Sequence, residues 1–225
     1  MVNREVLVFV DYFNRAQALT TTPGQNGWTV ADTSSAGTPT YLVATGDGGG
    51  MVLTLVNTSE AEIVTMYHND VLCFDVRTIQ NVEIIAKVAG IDAVTTLVFG
   101  VGSARNDTDN SVATNAWFRM EGSVSTSNIV VETDDGVTDN DDVATGTTLA
   151  AVFKTFQIDF TKGLTDIRFY VDGEPVARGT TFSMAGLTAG LNVQPLVQIQ
   201  KGSGTGTPSV TIKKFRIQYT EANGA

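Results

Sequence analysis

The chain has 225 residues, of which 42% are hydrophobic, so it can fill the core of one large domain without a disulfide or a metal. Its net charge of −10 disfavours nucleic acids and anionic membranes as partners, because both are bound mainly through Lys and Arg. It has no run near the roughly twenty apolar residues of a membrane span, and the short apolar stretch after residues 1–5 does not resemble a signal peptide. We therefore expect a single domain over residues 1–225, made without export.

Short runs rich in Val, Ile, Thr and Phe alternate with clusters of Gly, Asn, Asp and Ser, which is typical of strands joined by turns. The strands predicted in chain order are 5–10, 27–31, 41–44, 51–56, 71–77, 82–88, 95–100, 116–122, 129–132, 155–160, 165–171, 174–180, 193–200 and 210–219. The stretches 61–66 and 183–187 could each form one helical turn, and we expect no longer helix. The pattern predicts two packed antiparallel sheets.

Three of these strands carry predictions about packing. The stretch Val6 to Val10 is apolar at every position, so we expect it to lie centrally in a sheet or to be covered by an oligomeric partner. In the strand 165–171, Phe169 and its alternate neighbours share one face and should point into the core. In the last strand no single alternation fits throughout, which predicts a bulge or a sheet edge near Lys213 and Lys214.

The dipeptide Asp172-Gly173 provides the most specific local pattern. It stands between Tyr170-Val171 and Val176, and it supplies the positive φ angles of a two-residue type I′ hairpin. This Tyr-Val-Asp-Gly hairpin resembles the concanavalin A-like and laminin G-like jelly-roll superfamily, and the closing strand 211–219 looks like the last strand of that family. The resemblance implies an all-β fold, a jelly-roll sandwich of two antiparallel sheets.

Members of this superfamily include lectins, carbohydrate-binding modules, glycosidases and accessory proteins of tailed-phage virions. The single cysteine and the Thr-, Gly-, Ala- and Val-rich composition are similar to those of phage capsid decoration or fibre proteins. This likeness implies a non-enzymatic virion protein, made in the host cytoplasm, that binds viral capsid or tail proteins. It also implies a homo-oligomer, for which the symmetry of capsid sites suggests a trimer. A lectin-like, carbohydrate-binding module is the alternative, and a glycoside hydrolase is a third hypothesis.

Catalytic patterns are incomplete in this sequence. The run Glu132-Thr133-Asp134 begins the Glu-x-Asp-x-Glu pattern of jelly-roll glycosidases, but no second glutamate follows it. The only histidine, His68, lies in a predicted turn and is interpreted as a surface or hydrogen-bonded residue. The only cysteine, Cys73, lies in an apolar run and is predicted to be buried. One His and one Cys cannot form the usual zinc site. We predict no catalytic residue and no required cofactor.

Two weaker binding hypotheses come from acidic and aromatic residues. A run of hard oxygen donors in a predicted loop could bind calcium through Asp134, Asp135, Asp139 and Asp141, and a shorter run of this kind lies at 106–110. The alternative is a solvated loop that protects sheet edges from aggregation. Trp28 and Tyr41 are the candidates for stacking on a glycan.

Overall fold

A computed structural model of the protein describes residues 5–14, 19–44, 46, 48–186, 188 and 192–221. Within these ranges the regular structure is β-strand, apart from two short 3-10 helices at Gln25–Gly27 and Asp109–Ser111. Neither of these short helices, nor any other helix in the described ranges, is long and apolar enough to cross a membrane. The all-β class predicted from the sequence is confirmed.

The strands form two antiparallel sheets. Their bounds are β1 Val6–Asp11, β2 Thr29–Asp32, β3 Thr40–Val43, β4 Met51–Thr54, β5 Glu62–Tyr67, β6 Phe74–Asp75, β7 Ile79–Ala89, β8 Thr95–Gly102, β9 Asn115–Glu121, β10 Asn128–Asp134, β11 Asp139–Thr148, β12 Lys154–Asp159, β13 Arg168–Val171, β14 Glu174–Val176, β15 Asn192–Lys201 and β16 Ser209–Thr220. The first sheet has the order β14-β13-β12-β7-β16-β4-β3, with β1 also paired to β16. The second has the order β11-β10-β9-β8-β15-β5-β2, with β6 also paired to β15.

The main core lies between the two sheets. It contains Ile167, Phe169 and Val171, the alternate residues of the strand 165–171 that are predicted to point inward, together with Phe156, Ile158 and Phe160 from the neighbouring strand region. The ring of Phe169 reaches across the sandwich and meets Phe118 edge to face, with ring centroids 5.4 Å apart. This packing follows from the period of two along a strand, which directs every second side chain inward.

The predicted turn geometry is also observed. Asp172 and Gly173 have φ angles of 52° and 81°, and they join β13 to β14 with Phe169 opposite Val176. In β16 the register with β7 shifts between Ile212 and Lys214, which confirms the predicted bulge. The bulge allows Phe215 to face the core, because it resets the alternation.

Strand β1 does not lie centrally. Among the described strands it pairs with β16 alone, so its other edge has no strand partner there. Phe9 packs inward against Trp28, whereas Val6 and Val8 point outward and are 52% and 48% exposed. The prediction of a central strand is therefore wrong, and coverage by an oligomeric partner stays a prediction.

Three further expectations about local structure need correction. The predicted helical turn at 61–66 is instead part of β5, which is paired on both edges, to β15 and to β2. The predicted strand 71–77 is reduced to the two residues of β6. The acidic stretch that was expected to be a loop contains the ten-residue strand β11, which pairs with β10 through two irregularities in register. The second predicted helical turn, at 183–187, lies partly outside the described residues.

Candidate functional site

The outer face of the second sheet, which points away from the first sheet, is covered by the loop 103–114 between β8 and β9. Val112 of this loop packs on Val98, Trp117 and Leu196 to form a small second apolar cluster. The loop is also held by polar bonds from β15: Gln194 donates to the carbonyl of Ser103 at 3.0 Å, Gln198 to that of Asp107 at 3.3 Å, and Gln200 to Oδ1 of Asp109 at 3.2 Å. The face therefore has no open groove at this place.

Arg119 lies at the centre of an acidic cluster on this face. It projects from β9, and its guanidinium is almost fully buried. The carboxylate oxygens nearest to it belong to Asp109 at 3.4 Å, Glu121 at 3.5 Å, Glu132 at 3.6 Å, Asp141 at 3.5 Å and Asp142 at 3.0 Å. Burial opposes the charge of Arg119, but the surrounding carboxylates, Asp109 most strongly, raise its pKa above the ordinary value. The guanidinium thus stays charged.

Glu132 is the most perturbed acid of this cluster. Only 4% of it is exposed, and burial raises the pKa of its carboxyl to about 7, against the opposing effects of Trp117, Arg119 and Asn115. Asn115 donates to its Oε1 at 2.9 Å, and Nη1 of Arg119 lies 3.6 Å from its Oε2. Glu132 is therefore partly protonated near neutral pH, which reduces the net negative charge around Arg119.

The same cluster contains a group of acids with the spacing of metal ligands. Among the described residues, Glu132, Asp141 and Asp142 are the only group of three or more potential metal ligands whose ligand atoms all lie within 4.8 Å of one another. However, oxygens of these three acids converge on one atom, Nη1 of Arg119, at 3.6, 3.5 and 3.0 Å. The guanidinium occupies the position that a metal ion would need, so these residues do not fit a bound metal.

The four acids predicted to bind calcium are not brought into one ligand group. Asp134 accepts a bond from the backbone N–H of Gly136 at 2.7 Å. The buried carboxylate of Asp135 accepts bonds from three backbone N–H groups, those of Val137, Thr138 and Gly186. These two acids stabilise the turn between β10 and β11 and a neighbouring loop. Asp139 and Asp141 lie on β11 and are exposed. The predicted calcium ligand set is therefore wrong.

The two aromatic side chains predicted to contact a glycan lie in different environments. Trp28 is 0% exposed and packs against Phe13, His68 and Phe215, so it cannot stack on a sugar. The prediction for Trp28 is wrong because its ring, just before β2, is enclosed by these three aromatic side chains. Tyr41, on the edge strand β3, is half-buried and packs against the core with part of its surface accessible.

His68 is not a surface residue but is hydrogen-bonded, the other alternative of its interpretation, whereas Cys73 differs from its prediction. His68 is buried against Trp28 and Phe9, and burial lowers its pKa to about 4, with Asp11 opposing the shift. Cys73 is exposed, because the segment before β6 is not a strand, so the prediction of a buried thiol is wrong. Its Sγ lies 3.6 Å from Nδ1 of His68, but partial burial raises the pKa of the thiol, which disfavours a nucleophilic thiolate.

Sequence reasoning missed Arg119 as the centre of this face. The signal was present, since Arg119 is the single charge within the apolar run 116–120 of a predicted strand. An arginine in such a run is expected to be paired with acids. The identity of its partners could not be predicted, because they come from β10, β11 and the distant loop 103–114.

No protein-family model and no curated protein matches this sequence. Solved structures do match. A protein of unknown function from Shewanella oneidensis MR-1 superposes with a TM-score of 0.64 at 9% identity, over 100% of this chain and 91% of that one. A glycoside hydrolase family 16 endo-glucanase from Bacteroides ovatus gives 0.65 at 12% identity, over 93% and 99%. The carbohydrate recognition domain of Emp47p gives 0.56 at 12% identity, over 92% and 94%.

Identities this low show the fold alone. The neighbours are concanavalin A-like jelly rolls, so the predicted fold, a two-sheet antiparallel sandwich of this type, is confirmed. The likeness to phage decoration proteins stays a prediction.

Proposed function

We propose that this chain is a non-enzymatic structural protein that attaches to a larger protein assembly, in the manner of a phage capsid decoration or fibre protein. The observation that carries the non-enzymatic part is the burial of Glu132 on the outer face of the second sheet. Glu132 and Asp142 have carboxylate oxygens within 4.8 Å of each other, close to the about 5 Å of a retaining glycosidase pair. However, Glu132 is covered and paired with Arg119, so a glycosidic bond has no route to it.

Attachment is supported by strand β1. Its outward side chains Val6 and Val8 are apolar and exposed, and one edge of the strand has no partner among the described strands. Unpaired, apolar strand edges favour association with other chains. We expect the covering chains to be copies of this protein, in a homo-oligomer such as a trimer, together with viral capsid or tail proteins.

The absence of catalysis is tested on polysaccharides. The purified chain, incubated with mixed-linkage β-glucan and with a β-1,3-glucan, should release no reducing ends above a protein-free blank. Glu132→Gln is the matched control, because it removes the acid and keeps the volume. Hydrolysis by the parent that is lost in Glu132→Gln would overturn the non-enzymatic proposal.

Oligomerisation is tested by the mass in solution. The parent should have a mass of at least two times 23.9 kDa, and of three times that value for a trimer, by light scattering at micromolar concentration. Val8→Lys should shift the mass to that of the monomer, because a charge would be buried at the interface. Val137→Lys, at an exposed position in the β10–β11 turn, is the control and should keep the parent mass. A parent that is monomeric at these concentrations contradicts the homo-oligomer.

A lectin-like, carbohydrate-binding module is the second candidate. One specific observation favours it, a surface groove of about 590 Å³ lined by Tyr170, Arg168 and Thr181 among other residues. This volume lies within the range of small-ligand sites. Binding of any oligosaccharide by the intact chain on a glycan array supports this candidate, and binding of none rules it out at the concentration tested.

A further inference from the structure

The groove lies at one edge of the first sheet, beside the hairpin β13–β14. After β14 the chain reverses at Ala177, whose φ of 52° is unusual for a residue with a side chain. The chain then returns along the sheet, and Phe182 forms an isolated bridge with Ile167. The groove is the space between the hairpin and the returning segment 177–182.

One wall of the groove contains polar groups that are held in place. Arg168 donates to both oxygens of Asp166, from Nε at 3.1 Å and from Nη2 at 2.6 Å. Both side chains remain partly accessible to solvent. Tyr170 follows two residues later on the same face of β13, so its ring lies beside this pair. The ring of Tyr170 therefore lies next to a planar, bidentate Arg168–Asp166 pair, in which the guanidinium offers donors and the carboxylate offers acceptors.

The opposite wall is provided by the returning segment. Arg178 donates from Nε to the carbonyl of Pro175 at 3.0 Å, and its guanidinium also lies 3.7 Å from Glu174. The side chains of Thr180 and Thr181 add hydroxyl groups, which both donate and accept hydrogen bonds. Pro175 contributes an apolar surface close to Tyr170, its partner across the strand pair.

The charges around the groove decide which ligand class fits it. Asp166 and Glu174 balance Arg168 and Arg178, so the formal charge of these four residues is zero. A phosphate or another anion therefore gains little here, and neither does a cation. The remaining chemistry favours a ligand with many hydroxyls and an apolar C–H face, since hydroxyls match the donors and acceptors and the face matches the tyrosine ring.

We propose that the groove between the β13–β14 hairpin and residues 177–182 binds an uncharged carbohydrate, with Tyr170 as the stacking ring and Arg168 and Arg178 as donors. This proposal rests on the second candidate function, glycan binding, and adds the site and the ligand class. Tyr41 lies on β3, at the opposite edge of the first sheet, and takes no part in it.

The test begins with the intact chain on a glycan array, followed by calorimetric titration with the oligosaccharide that binds best. Tyr170→Ala should weaken binding about tenfold, because a stacking ring is lost. Arg178→Ala should also weaken binding. Its side chain is 69% exposed, so this change should not affect folding. Tyr170→Phe should retain most of the affinity, and Tyr41→Ala is the matched control, which should leave the affinity unchanged. Melting curves verify that each variant is folded.

The possible failures are distinguishable. If an uncharged oligosaccharide binds and neither Tyr170→Ala nor Arg178→Ala weakens it, the groove is not the site, although glycan binding stands. If Tyr41→Ala alone weakens binding, the site lies at β3 and the proposal is overturned. If only acidic glycans bind, the ligand class is wrong. If no glycan binds at all, the second candidate function fails together with the groove.

Discussion

Lys201 and Glu62 form the most completely buried ion pair of the described structure, and replacing the lysine should strongly destabilise the protein. Both side chains are 0% exposed, with Nζ 3.3 Å from Oε2. Nζ also donates to the carbonyls of Val56, of Thr58 at 2.9 Å and of Gly206 at 3.1 Å. One ammonium group thus connects β15 and β5 with the loops that follow β4 and β15.

Lys201→Met keeps most of the side-chain volume and removes the charge. It leaves the carboxylate of Glu62 buried without a cation and leaves three carbonyls without this donor. Removing one partner of a buried pair typically costs 3 to 5 kcal/mol, so we expect the free energy of unfolding to fall by about 4 kcal/mol. Most domains have only about 5 to 15 kcal/mol in total.

The measurement is urea unfolding followed by fluorescence, with the slope of the transition fitted separately for each variant. The double variant Lys201→Met with Glu62→Leu should recover about 2 kcal/mol, because no unpaired charge then remains in the core. Lys154→Met is the control. The side chain of its partner Asp172 is 47% exposed, so solvent screens the pair and the cost should stay below about 1 kcal/mol. A loss below about 1 kcal/mol for Lys201→Met, or a double variant no more stable than the single one, would refute this reasoning.

Three further predictions concern the core, the hairpin and pH. Phe169→Ala should lower the free energy of unfolding by about 3 to 5 kcal/mol, since it leaves a cavity beside Phe118 and Phe182; an unchanged melting curve would contradict the packing. Gly173→Val should lower the melting temperature because Gly173 has a φ of 81°, whereas Gly173→Asn, which tolerates this conformation, should cost less; equal effects would argue against the turn geometry. His68 has a pKa of about 4 in the fold instead of 6.5, so the unfolded chain binds more protons between these values. Its contribution is therefore complete above pH 6.5 and decreases by about 3 kcal/mol as the pH falls to 4. The difference in unfolding free energy between the parent and His68→Leu, measured from pH 7 to pH 4, should change by that amount; a constant difference would show that His68 is not buried in its neutral form.

The fold was predictable where the pattern is local. The alternation around Phe169 predicts which side chains point inward, and the dipeptide Asp172-Gly173 predicts a hairpin turn. Each pattern depends on only a few consecutive residues, and both predictions are confirmed. The bulge near Lys214 was predictable for the same reason, because a break in alternation is visible within one strand. Together these signals were sufficient for the all-β class and the two-sheet arrangement.

The errors arise where long-range pairing decides the structure. The acidic residues of β11 have low intrinsic preference for a strand, yet they pair with β10, and Asp142 adopts a φ of 47° at an irregularity in the register. The apolar composition of Val6 to Val10 predicted burial on both faces, but composition does not determine which strands are neighbours. Trp28 could not be placed by its own pattern, because its burial depends on Phe13 and Phe215.

The two surfaces that were considered as sites differ in how accessible their charged groups are. On the outer face of the second sheet, Arg119 is surrounded by acids from its own strand and from three other elements, and Glu132 is buried with it, so these groups are already paired within the protein. Opening that face would require exposure of Trp117 and loss of the bonds that hold the loop 103–114. The groove at β13–β14 needs no such opening, because Arg168 is positioned by Asp166 while both side chains remain accessible. A ligand can therefore reach preorganised polar groups there without a conformational change, which is the arrangement that reduces the entropic cost of binding.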